Sequence, residues 1–353
     1  MMRFPVPAFR RGVRSVRIAL SPLKRGLARR ITHFRDGEPV FEFIAADLTG
    51  NCNLRCPFCI NDFAHAPKNA PIGRRPYRKL LRLLPLVPDG KFFLSCLYEP
   101  FVHPRFLDFM EMIPRRFRKK AFFTTNLCAP LDDGQIRRMA ESGLNYINIS
   151  VDTFRPELFE RLRRGARFEV FMDNFERLVR TFSLRTDAPP LRYSTMALKE
   201  NMDEIPSVVE RCAREFRAAS HEVRFVYETI HHSTEWKRAN LLIPSEWEDL
   251  ARRIKSVSPE CIVAGPPAGY YEKENESYSR PSGPNGADPV RTPLSLRADS
   301  GGIVYLYGKA VSFDLRSIRA PRRFFRRLAR SQAPSASENI ERPIYTAGEN
   351  SAD

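Results

Sequence analysis

The sequence predicts an α/β protein built on a partial barrel of parallel strands. Six short apolar stretches alternate with helical patterns between residues 40 and 230. Parallel strands need long crossover connections, usually helices, and this alternation supplies them. Polar or cysteine-bearing segments follow the apolar stretches. In barrels of this kind the chemistry lies at the carboxyl ends of the strands, so these segments are the candidate functional positions.

The elements follow one another with short connections. The predicted strands are 41–47, 91–96, 121–125, 146–151, 191–198 and 223–230. The predicted helices are 78–84, 104–117, 133–142, 156–163, 168–181 and 202–218. The strand stretches are short and rich in branched and aromatic residues, whereas the helical stretches are longer and amphipathic. Right-handed crossovers between such units give a parallel sheet.

Charge is distributed unevenly along the 353 residues. The net charge is +17, and 42% of the residues are hydrophobic, which is enough to bury a core. Ten Lys and Arg and no acid lie in residues 1–35, and seven Arg and no acid lie in residues 316–330. The rest of the chain is therefore near neutral, which argues against a basic nucleic-acid-binding body and against a specific nucleic-acid partner.

The first 38 residues read as a basic N-terminal arm, interrupted by Pro22. No apolar run in the arm approaches the ~18 residues that a membrane span needs, and its arginines interrupt any signal-peptide core. The pattern leaves three interpretations open. The arm could be a solvated basic helix, a surface helix that contacts anionic lipid or an acidic protein, or a mitochondrial-type presequence.

Three cysteines, Cys52, Cys56 and Cys59, come directly after the first predicted strand. Cysteine thiolates are the usual ligands of iron–sulfur clusters, and three of them would leave one iron of a four-iron cluster open to another molecule. A zinc site with His65 as fourth ligand is the alternative, because structural zinc takes four N or S ligands. Seven cysteines without framework spacing or a secretory signal disfavour disulfides and indicate a reducing compartment, the cytoplasm.

The C-x3-C-x2-C spacing, with aromatic Phe58 directly before the last cysteine, resembles the signature of the radical S-adenosylmethionine (SAM) superfamily. The resemblance implies a partial (β/α)6 TIM-type barrel in which Cys52, Cys56 and Cys59 ligate a [4Fe-4S] cluster. It implies that the open iron holds S-adenosylmethionine. One electron from the cluster would then cleave the cofactor, giving a 5'-deoxyadenosyl radical that abstracts hydrogen from the substrate.

A second motif follows the second predicted strand. The stretch from Ser95 to Pro104 resembles the family's S-G-x-G-E-P-x-x-x-P motif, in which Glu99 would accept a hydrogen bond from the methionine ammonium. Cys96 and Tyr98 stand at the two usual glycine positions, where glycine permits close backbone approach. The other role open to Glu99 is that of a helix cap.

Two further motifs end the third and fourth strands. Asn126 resembles the family's T-N-G ending, with Leu127 in the glycine position. Ser150 and Asp152 resemble its S-x-D motif, whose polar groups contact the ribose or carboxylate of S-adenosylmethionine. One of the two could instead cap the helix that begins at Pro156. The cofactor-binding residues implied by the resemblance are Phe58, Glu99, Asn126, Ser150 and Asp152.

Two cysteines outside the signature are candidates for substrate chemistry. Cys96 and Cys128 follow the second and third strands, where a thiol could donate a hydrogen atom to a substrate radical. A free cysteine is also commonly a small buried hydrophobe, so both roles stay open.

Four other titratable residues lie on later strands or directly after them. Glu228, His231 and His232 follow the core of the sixth predicted strand, where they would bind substrate, transfer protons or simply form a polar loop. Arg192 lies early in the fifth strand. Its planar fork suits a carboxylate, and surface exposure is the alternative.

The character of the sequence changes after residue 235. We predict a barrel over residues 39–235, a C-terminal extension over 236–330 and a disordered tail over 331–353. Residues 266–293 read as a linker, and residues 293–306 as a small β-hairpin around an Asp-Ser-Gly-Gly turn. The hairpin resembles the SPASM or twitch extension of the family. Because only Cys261 follows Cys212, the extension would hold no second cluster.

These observations predict a radical SAM enzyme, an oxidoreductase, that acts on a peptide or small-metabolite substrate. The resemblance also implies an acidic electron donor such as flavodoxin or ferredoxin, which the basic arms could attract. The alternative is a non-catalytic zinc-binding or interaction protein that uses the loop of Cys52, Cys56 and Cys59.

Overall fold

The computed structural model describes residues 40–61, 71–95, 97–229, 231–266, 294–298, 303–306, 312–315 and 317–331. Several predicted features lie outside these residues. They are the N-terminal arm, His65, Cys96, most of the predicted linker, the hairpin turn and the predicted tail from residue 332 onward.

The strands and helices alternate through most of the chain. The strands are β1 (Phe41–Ala46), β2 (Phe92–Leu94), β3 (Ala121–Thr125), β4 (Tyr146–Ser150), β5 (Leu191–Ala197), β6 (Ala218–Phe225), β7 (Ile262–Ala264), β8 (Leu294–Ala298), β9 (Ile303–Leu306) and β10 (Ser312–Asp314). The helices are α1 (Arg74–Leu81), α2 (Phe106–Glu111), α3 (Asp133–Ala140), α4 (Pro156–Leu162), α5 (Phe168–Ser183), α6 (Ile205–Glu215), α7 (Thr234–Asn240), α8 (Pro244–Val257) and α9 (Pro321–Ser331). Three short 3-10 turns, Leu84–Leu86, Pro100–Val102 and Arg115–Lys120, complete the described elements.

One sheet joins all the described strands in the order β10-β9-β8-β1-β2-β3-β4-β5-β6-β7. Every pair from β8 to β7 is parallel, and only β8–β9 and β9–β10 are antiparallel. The predicted fold class, a partial parallel barrel with a C-terminal hairpin, is thereby confirmed. The six predicted strands lie side by side in chain order, so their carboxyl ends share one edge.

The two faces of the sheet differ in composition. On the helix-covered face, Phe123 packs edge-on against Phe106 at 4.9 Å between ring centroids, and Tyr193 against Phe175 at 5.4 Å. The opposite face, called the inner face here, carries Phe122, Thr124 and the residues in register with them. Because strand residues alternate between faces, each strand presents an apolar set to the helices and a mixed set to the inside.

Several element boundaries differ from the prediction, among them α2, which spans Phe106–Glu111 instead of 104–117, and β6, which ends at Phe225 instead of 230. Helix α1 begins at Arg74 rather than 78, and β6 begins at Ala218, where the sequence predicted the end of a helix. Strand β6 carries Ser220, Glu222 and Arg224 on its inner face. These exposed or half-buried polar residues alternate with the buried residues His221, Val223 and Phe225, so the start of β6 lacks the continuous apolar run that marks the other strands.

The sheet also extends beyond the six predicted strands. After β6, α7 and α8 lead to β7, which adds a further parallel strand beside β6. At the other edge β8 pairs in parallel with β1, and α9 brings Phe325 to 5.5 Å from Phe41, ring to ring. Such long-range pairing leaves no local sequence signal. Within the described residues, no helix combines the length and apolarity needed to cross a membrane.

Candidate active site

The cysteine loop (Cys52–Cys59) follows β1, and hydrogen bonds from Arg55 to backbone carbonyls hold it in place. Arg55 donates from Nη1 to the carbonyl oxygen of Cys52 at 2.7 Å, and its backbone N–H donates to the carbonyl of Arg164 at 2.8 Å. The turn after α4 passes close by, with Gly165 at φ +96° directly against the loop. Only glycine adopts that conformation without strain, so the turn supports the loop closely.

The three thiols are half-buried, and those of Cys52 and Cys59 accept N–H hydrogen bonds. The Sγ of Cys52 accepts from Leu54 N at 3.4 Å and from Asn126 Nδ2 at 3.7 Å, and the Sγ of Cys59 accepts from Asn61 N at 3.4 Å. Hydrogen bonds to the sulfurs are one of the features that tune iron–sulfur clusters. A thiol-only donor set in one loop therefore fits a [4Fe-4S] cluster.

Burial raises the pKa of Cys52 to about 12 and that of Cys56 to about 11. Metal ligation requires thiolates, so cluster assembly would release protons here. Among the described residues no three His, Cys, Asp or Glu side chains lie as ligands of one metal ion. The ligands of a cubane cluster each bind a different iron, so they are spaced more widely than ligands of a single ion.

Glu99 lies buried between the second and third strands. It accepts hydrogen bonds from Asn126 N at 2.7 Å, from Thr125 Oγ1 at 2.8 Å and from Phe101 N at 3.3 Å. Burial raises the pKa of Glu99 to about 7, although these three hydrogen bonds oppose the shift. Glu99 thus caps the 3-10 turn that begins at Pro100 and also ties that turn to the end of β3.

Asn126 joins the end of β3 to the cysteine loop. Its Nδ2 donates to Asn53 Oδ1 at 2.9 Å, in addition to its contact with Cys52. The next residue, Leu127, stands at the glycine position of the motif and has φ +57°, in the left-handed region that favours glycine. A non-glycine residue pays about 1 kcal/mol or more for this conformation, and such strain persists only where the surroundings fix it. Here the hydroxyl of Thr125 accepts from Leu127 N at 3.0 Å.

Asp152 is the fully buried partner of Arg163. Its Oδ2 lies 2.6 Å from both Nε and Nη2 of Arg163, and its Oδ1 accepts from Met196 N at 2.8 Å. Both carboxylate oxygens therefore already have protein partners. In this arrangement Asp152 holds the guanidinium of Arg163 in place.

Arg163 is a site residue that the sequence reasoning missed. Its side chain is 9% exposed, and its Cζ lies 5.5 Å from the Phe58 ring centroid. Its charge lowers the pKa of Cys56 and Cys59, against the larger effect of burial. In the sequence it stands among other arginines at the end of α4, and no pattern there distinguishes a buried arginine from exposed ones.

Phe58 and Ser150 lie at different parts of the same edge. Phe58 is buried in an apolar cluster with Leu158, Leu162, Leu198 and Val226. Ser150 ends β4 on the inner face, half-buried and in register with Ser194. The cluster forms an apolar wall beside the cysteine loop, while Ser150 contributes a hydroxyl to the polar side.

The remaining candidates divide into two groups. Cys128 is buried near the loop, where its Sγ donates to the carbonyl of Asn126 at 3.1 Å, and burial raises its pKa. His231 reaches the carbonyl of Cys59 at 3.2 Å, and the ring of buried His232 lies 4.1 Å from that of Trp236. These three candidates therefore lie near the cysteine loop.

The other two candidates lie away from the loop. Glu228 pairs with Lys237 at 2.8 Å on the surface. Arg192 lies near the start of β5, away from the strand ends.

Comparison with known proteins gives consistent results. Residues 47–212 match the family model of the Radical SAM superfamily. The curated relatives include a GTP 3',8-cyclase of Chlorobaculum tepidum, 29% identical over 48% of this chain and 49% of the relative. A probable GTP 3',8-cyclase of Methanothermobacter thermautotrophicus is 25% identical over 63% of this chain and 70% of the relative. The match to the first of these relatives thus spans about half of its length.

Solved structures share the fold. Streptococcus suis SuiB bound to S-adenosylmethionine matches 82% of this chain and 66% of its own, with a TM-score of 0.54 and 14% identity. Native anSMEcpe with bound AdoMet matches 80% of this chain and 82% of its own, with a TM-score of 0.51 and 14% identity. The predicted cofactors, a [4Fe-4S] cluster and S-adenosylmethionine, are confirmed as those of the family. Residues 47–212, just under half of the chain, are thereby identified as a radical SAM domain.

Proposed function

We propose that this protein is a radical SAM enzyme that acts on a small-molecule substrate. The observation that carries the proposal is the cysteine loop held between the end of β1, the Glu99–Asn126 contact and buried Arg163. When bound, the cluster and S-adenosylmethionine would supply a 5'-deoxyadenosyl radical for hydrogen abstraction. The protein would supply binding, orientation and exclusion of water.

Each site residue has a role in this proposal. Cys52, Cys56 and Cys59 would hold the cluster, and Arg163, oriented by Asp152, would offset its negative charge. The remaining residues would contact S-adenosylmethionine: Glu99 through the methionine ammonium, Ser150 through polar groups of the cofactor, Asn126 near the cluster loop and Phe58 through apolar contact. Asp152 would act indirectly, because its carboxylate is already paired with the charge of buried Arg163.

The substrate class is inferred from the curated relatives. The curated relatives are named for GTP, a small molecule, which favours a small metabolite over a peptide.

Two further cysteines lie in the described part of the chain after β5. Cys212 and Cys261 are both buried, and Cys261 donates to the backbone carbonyl of His221 in β6. Neither lies with the cysteine loop, which is consistent with a single cluster.

The test is anaerobic reconstitution with iron and sulfide, followed by reduction and addition of S-adenosylmethionine. We expect 5'-deoxyadenosine from the wild type, and none from Cys56→Ala. Cys261→Ala is the matched control, because Cys261 lies away from the loop and should leave the yield unchanged. Stoichiometric zinc without acid-labile sulfide, in folded protein that produces no 5'-deoxyadenosine, would favour the zinc-binding alternative.

The chemistry also needs a one-electron donor and reduced thiols. We propose an acidic donor protein of the flavodoxin or ferredoxin type, attracted by the basic segments of the chain. We further propose a reducing compartment such as the cytoplasm, because the three ligand thiols must stay reduced until the cluster is assembled.

A further inference from the structure

We propose that the inner face of the sheet binds an anionic group of the substrate, a phosphate or a carboxylate, on the guanidinium of Arg192. This inference rests on the proposed function, since it concerns the substrate of the same site. It adds the chemical class of that substrate and the position of its charge. Three features of the inner face carry it: an arginine without a carboxylate partner, the aromatic row that holds it, and a layer of hydroxyl donors above it.

The guanidinium of Arg192 lies over an aromatic ring. Its Cζ is 3.8 Å from the ring centroid of Tyr146, an inner-face residue of β4 two positions before Asn148, the register partner of Arg192. No Asp or Glu of the described chain forms an ion pair with it. Arg211 on the outer surface shows the usual arrangement, because it stacks 4.5 Å from Phe154 and also pairs with Glu215 at 2.8 Å. The charge of Arg192 is therefore positioned by stacking yet not neutralised by a carboxylate.

The ring beneath Arg192 is held in a continuous aromatic row. Tyr146 stacks on Phe122 at 4.2 Å, Phe122 contacts Phe93 at 4.3 Å, and Phe93 stacks on Phe43 at 5.5 Å. Burial raises the pKa of Tyr146 to about 12, although the charge of Arg192 opposes the shift. The phenol is thus neutral at physiological pH and provides a face for the cation rather than a counter-charge.

The layer above the aromatic row is rich in hydrogen-bond donors. The amide of Asn148 donates to Thr124 Oγ1 at 3.3 Å and to Ser194 Oγ at 3.1 Å. Both hydroxyls act as acceptors in these contacts, so each keeps its own hydrogen for another acceptor. Glu222, the carboxylate in register with Ser194, is already paired with Arg224 at 2.7 Å. Donors therefore predominate on this face, which suits an anionic ligand.

The position of Arg192 also indicates the shape of the substrate. Met196, near the carboxyl end of β5 where Asp152 and the cysteine loop lie, is four residues after Arg192. At ~3.3 Å per residue the backbone of Arg192 lies roughly 13 Å below that edge. Its guanidinium lies over Tyr146, two residues before its register partner Asn148, and is therefore still further from the edge. The inferred substrate is therefore elongated, with its reacting carbon near the strand ends and its phosphate or carboxylate deep in the barrel.

The test measures anion binding to the reconstituted full-length protein, with inorganic phosphate and acetate as separate probes. We expect saturable binding of one probe to the wild type, weakened at least tenfold in Arg192→Met and only partly in Arg192→Lys. Arg211→Met, the matched stacked arginine, should bind like the wild type. The tighter of the two probes identifies the substrate anion.

A second measurement needs no variant. Phosphate or acetate should slow modification of Arg192 by phenylglyoxal in the wild type, mapped by peptide mass spectrometry, and leave Arg211 unaffected. Equal anion binding by wild type and Arg192→Met, or no protection of Arg192, would overturn the inference. Formation of 5'-deoxyadenosine by the wild type is measured separately, so failure of the anion site is distinguished from failure of the proposed function.

Discussion

The Asp152–Arg163 pair shows how much a single residue contact decides at this site. Asp152 is fully buried and Arg163 nearly so, which makes desolvation of both charges costly. The pair is retained because the two Arg163 N–H groups and Met196 N satisfy the carboxylate. It also places a positive charge beside the cysteines.

The first prediction concerns removal of one partner of this pair. We expect Asp152→Asn to lower the free energy of unfolding by about 3–5 kcal/mol, because Arg163 is left buried without a counter-charge. Urea unfolding of Asp152→Asn, Arg163→Met and the double variant measures the coupling. The double variant should lose less than the sum of the two single variants. Additive losses, or a loss below about 1 kcal/mol for Asp152→Asn, would contradict the buried pair.

His221 predicts a pH dependence of stability. Thr195 donates its hydroxyl hydrogen to the carbonyl of Val151, so in the contact of Thr195 with Nε2 the histidine must be the donor. Its Nδ1, the site of protonation, is buried without a partner. Burial accordingly lowers the pKa of His221 from 6.5 to about 4.

The expected consequence is a loss of stability on acidification. The unfolded chain takes up this proton below about pH 6.5, whereas the folded chain takes it up only below about pH 4. The stabilisation of the folded state by neutral His221 is therefore fully present above pH 6.5 and is lost as the pH falls from 6.5 to 4. The total is about 3 kcal/mol. Unfolding of the wild type and His221→Gln between pH 7 and 4 checks it. If the two stability curves stay parallel, the assignment is wrong.

At the scale of elements, β8 decides how the first edge of the barrel is covered. It pairs with β1 over its whole length, and Asp47 N donates to the carbonyl of Ala298 at 2.9 Å. Arg297 donates from Nε to buried Asp47 at 2.9 Å, and Asp47 also accepts from Leu97 N at 3.1 Å. The C-terminal strand thus fixes the residue that leads into the cysteine loop.

The third prediction follows from this contact. We expect Arg297→Met to increase the hydrogen-exchange rate of the Asp47 amide at least tenfold, because the end of β8 loses its attachment to β1. Arg297→Lys should restore part of the protection. Arg138→Met, which removes a surface pair with Asp108, serves as the control and should leave Asp47 unchanged. Unaltered exchange in Arg297→Met would mean that the strand pairing alone holds this edge.

At the scale of the whole molecule, positive charge is concentrated in segments of the chain rather than spread over it. The N-terminal 35 residues and the arginine-rich segment that includes α9 carry most of the excess. Helix α9 lies beside α1, with Arg322 Nε donating to the carbonyl of Arg82 at 2.7 Å. Two basic helices are thereby adjacent on the side of the sheet near β1.

The fourth prediction tests whether this charge serves electron transfer. Deletion of residues 1–35 should slow reduction of the cluster by an acidic flavodoxin about tenfold at low ionic strength, with the difference shrinking as salt rises. Stopped-flow absorbance of the cluster measures the rate, and reduction by dithionite is the control. A rate that the deletion leaves unchanged would rule out steering by the arm.

The order of strands and helices was predictable because each element has its own local period and its own turn residues. The prediction was less accurate where an inner face is polar, as at the start of β6, because alternation removes the apolar run. It gave no indication of α7, α8 or β7 after residue 235. The proposed cofactor-binding residues on strand ends were named from motifs, whereas Arg163 was missed because its burial depends on Asp152.

The sequence by itself determined the parallel βα order and the placement of three cysteines after the first strand, since both depend on residues close together in the chain. Tertiary structure alone decided the pairing of β8 with β1, where Arg297 meets a partner 250 residues away. It also decided the partner of each arginine: the side chain of Arg163 pairs with a buried carboxylate, whereas that of Arg192 lies over an aromatic ring. Burial and partner choice depend on the three-dimensional arrangement of elements, which no local pattern encodes.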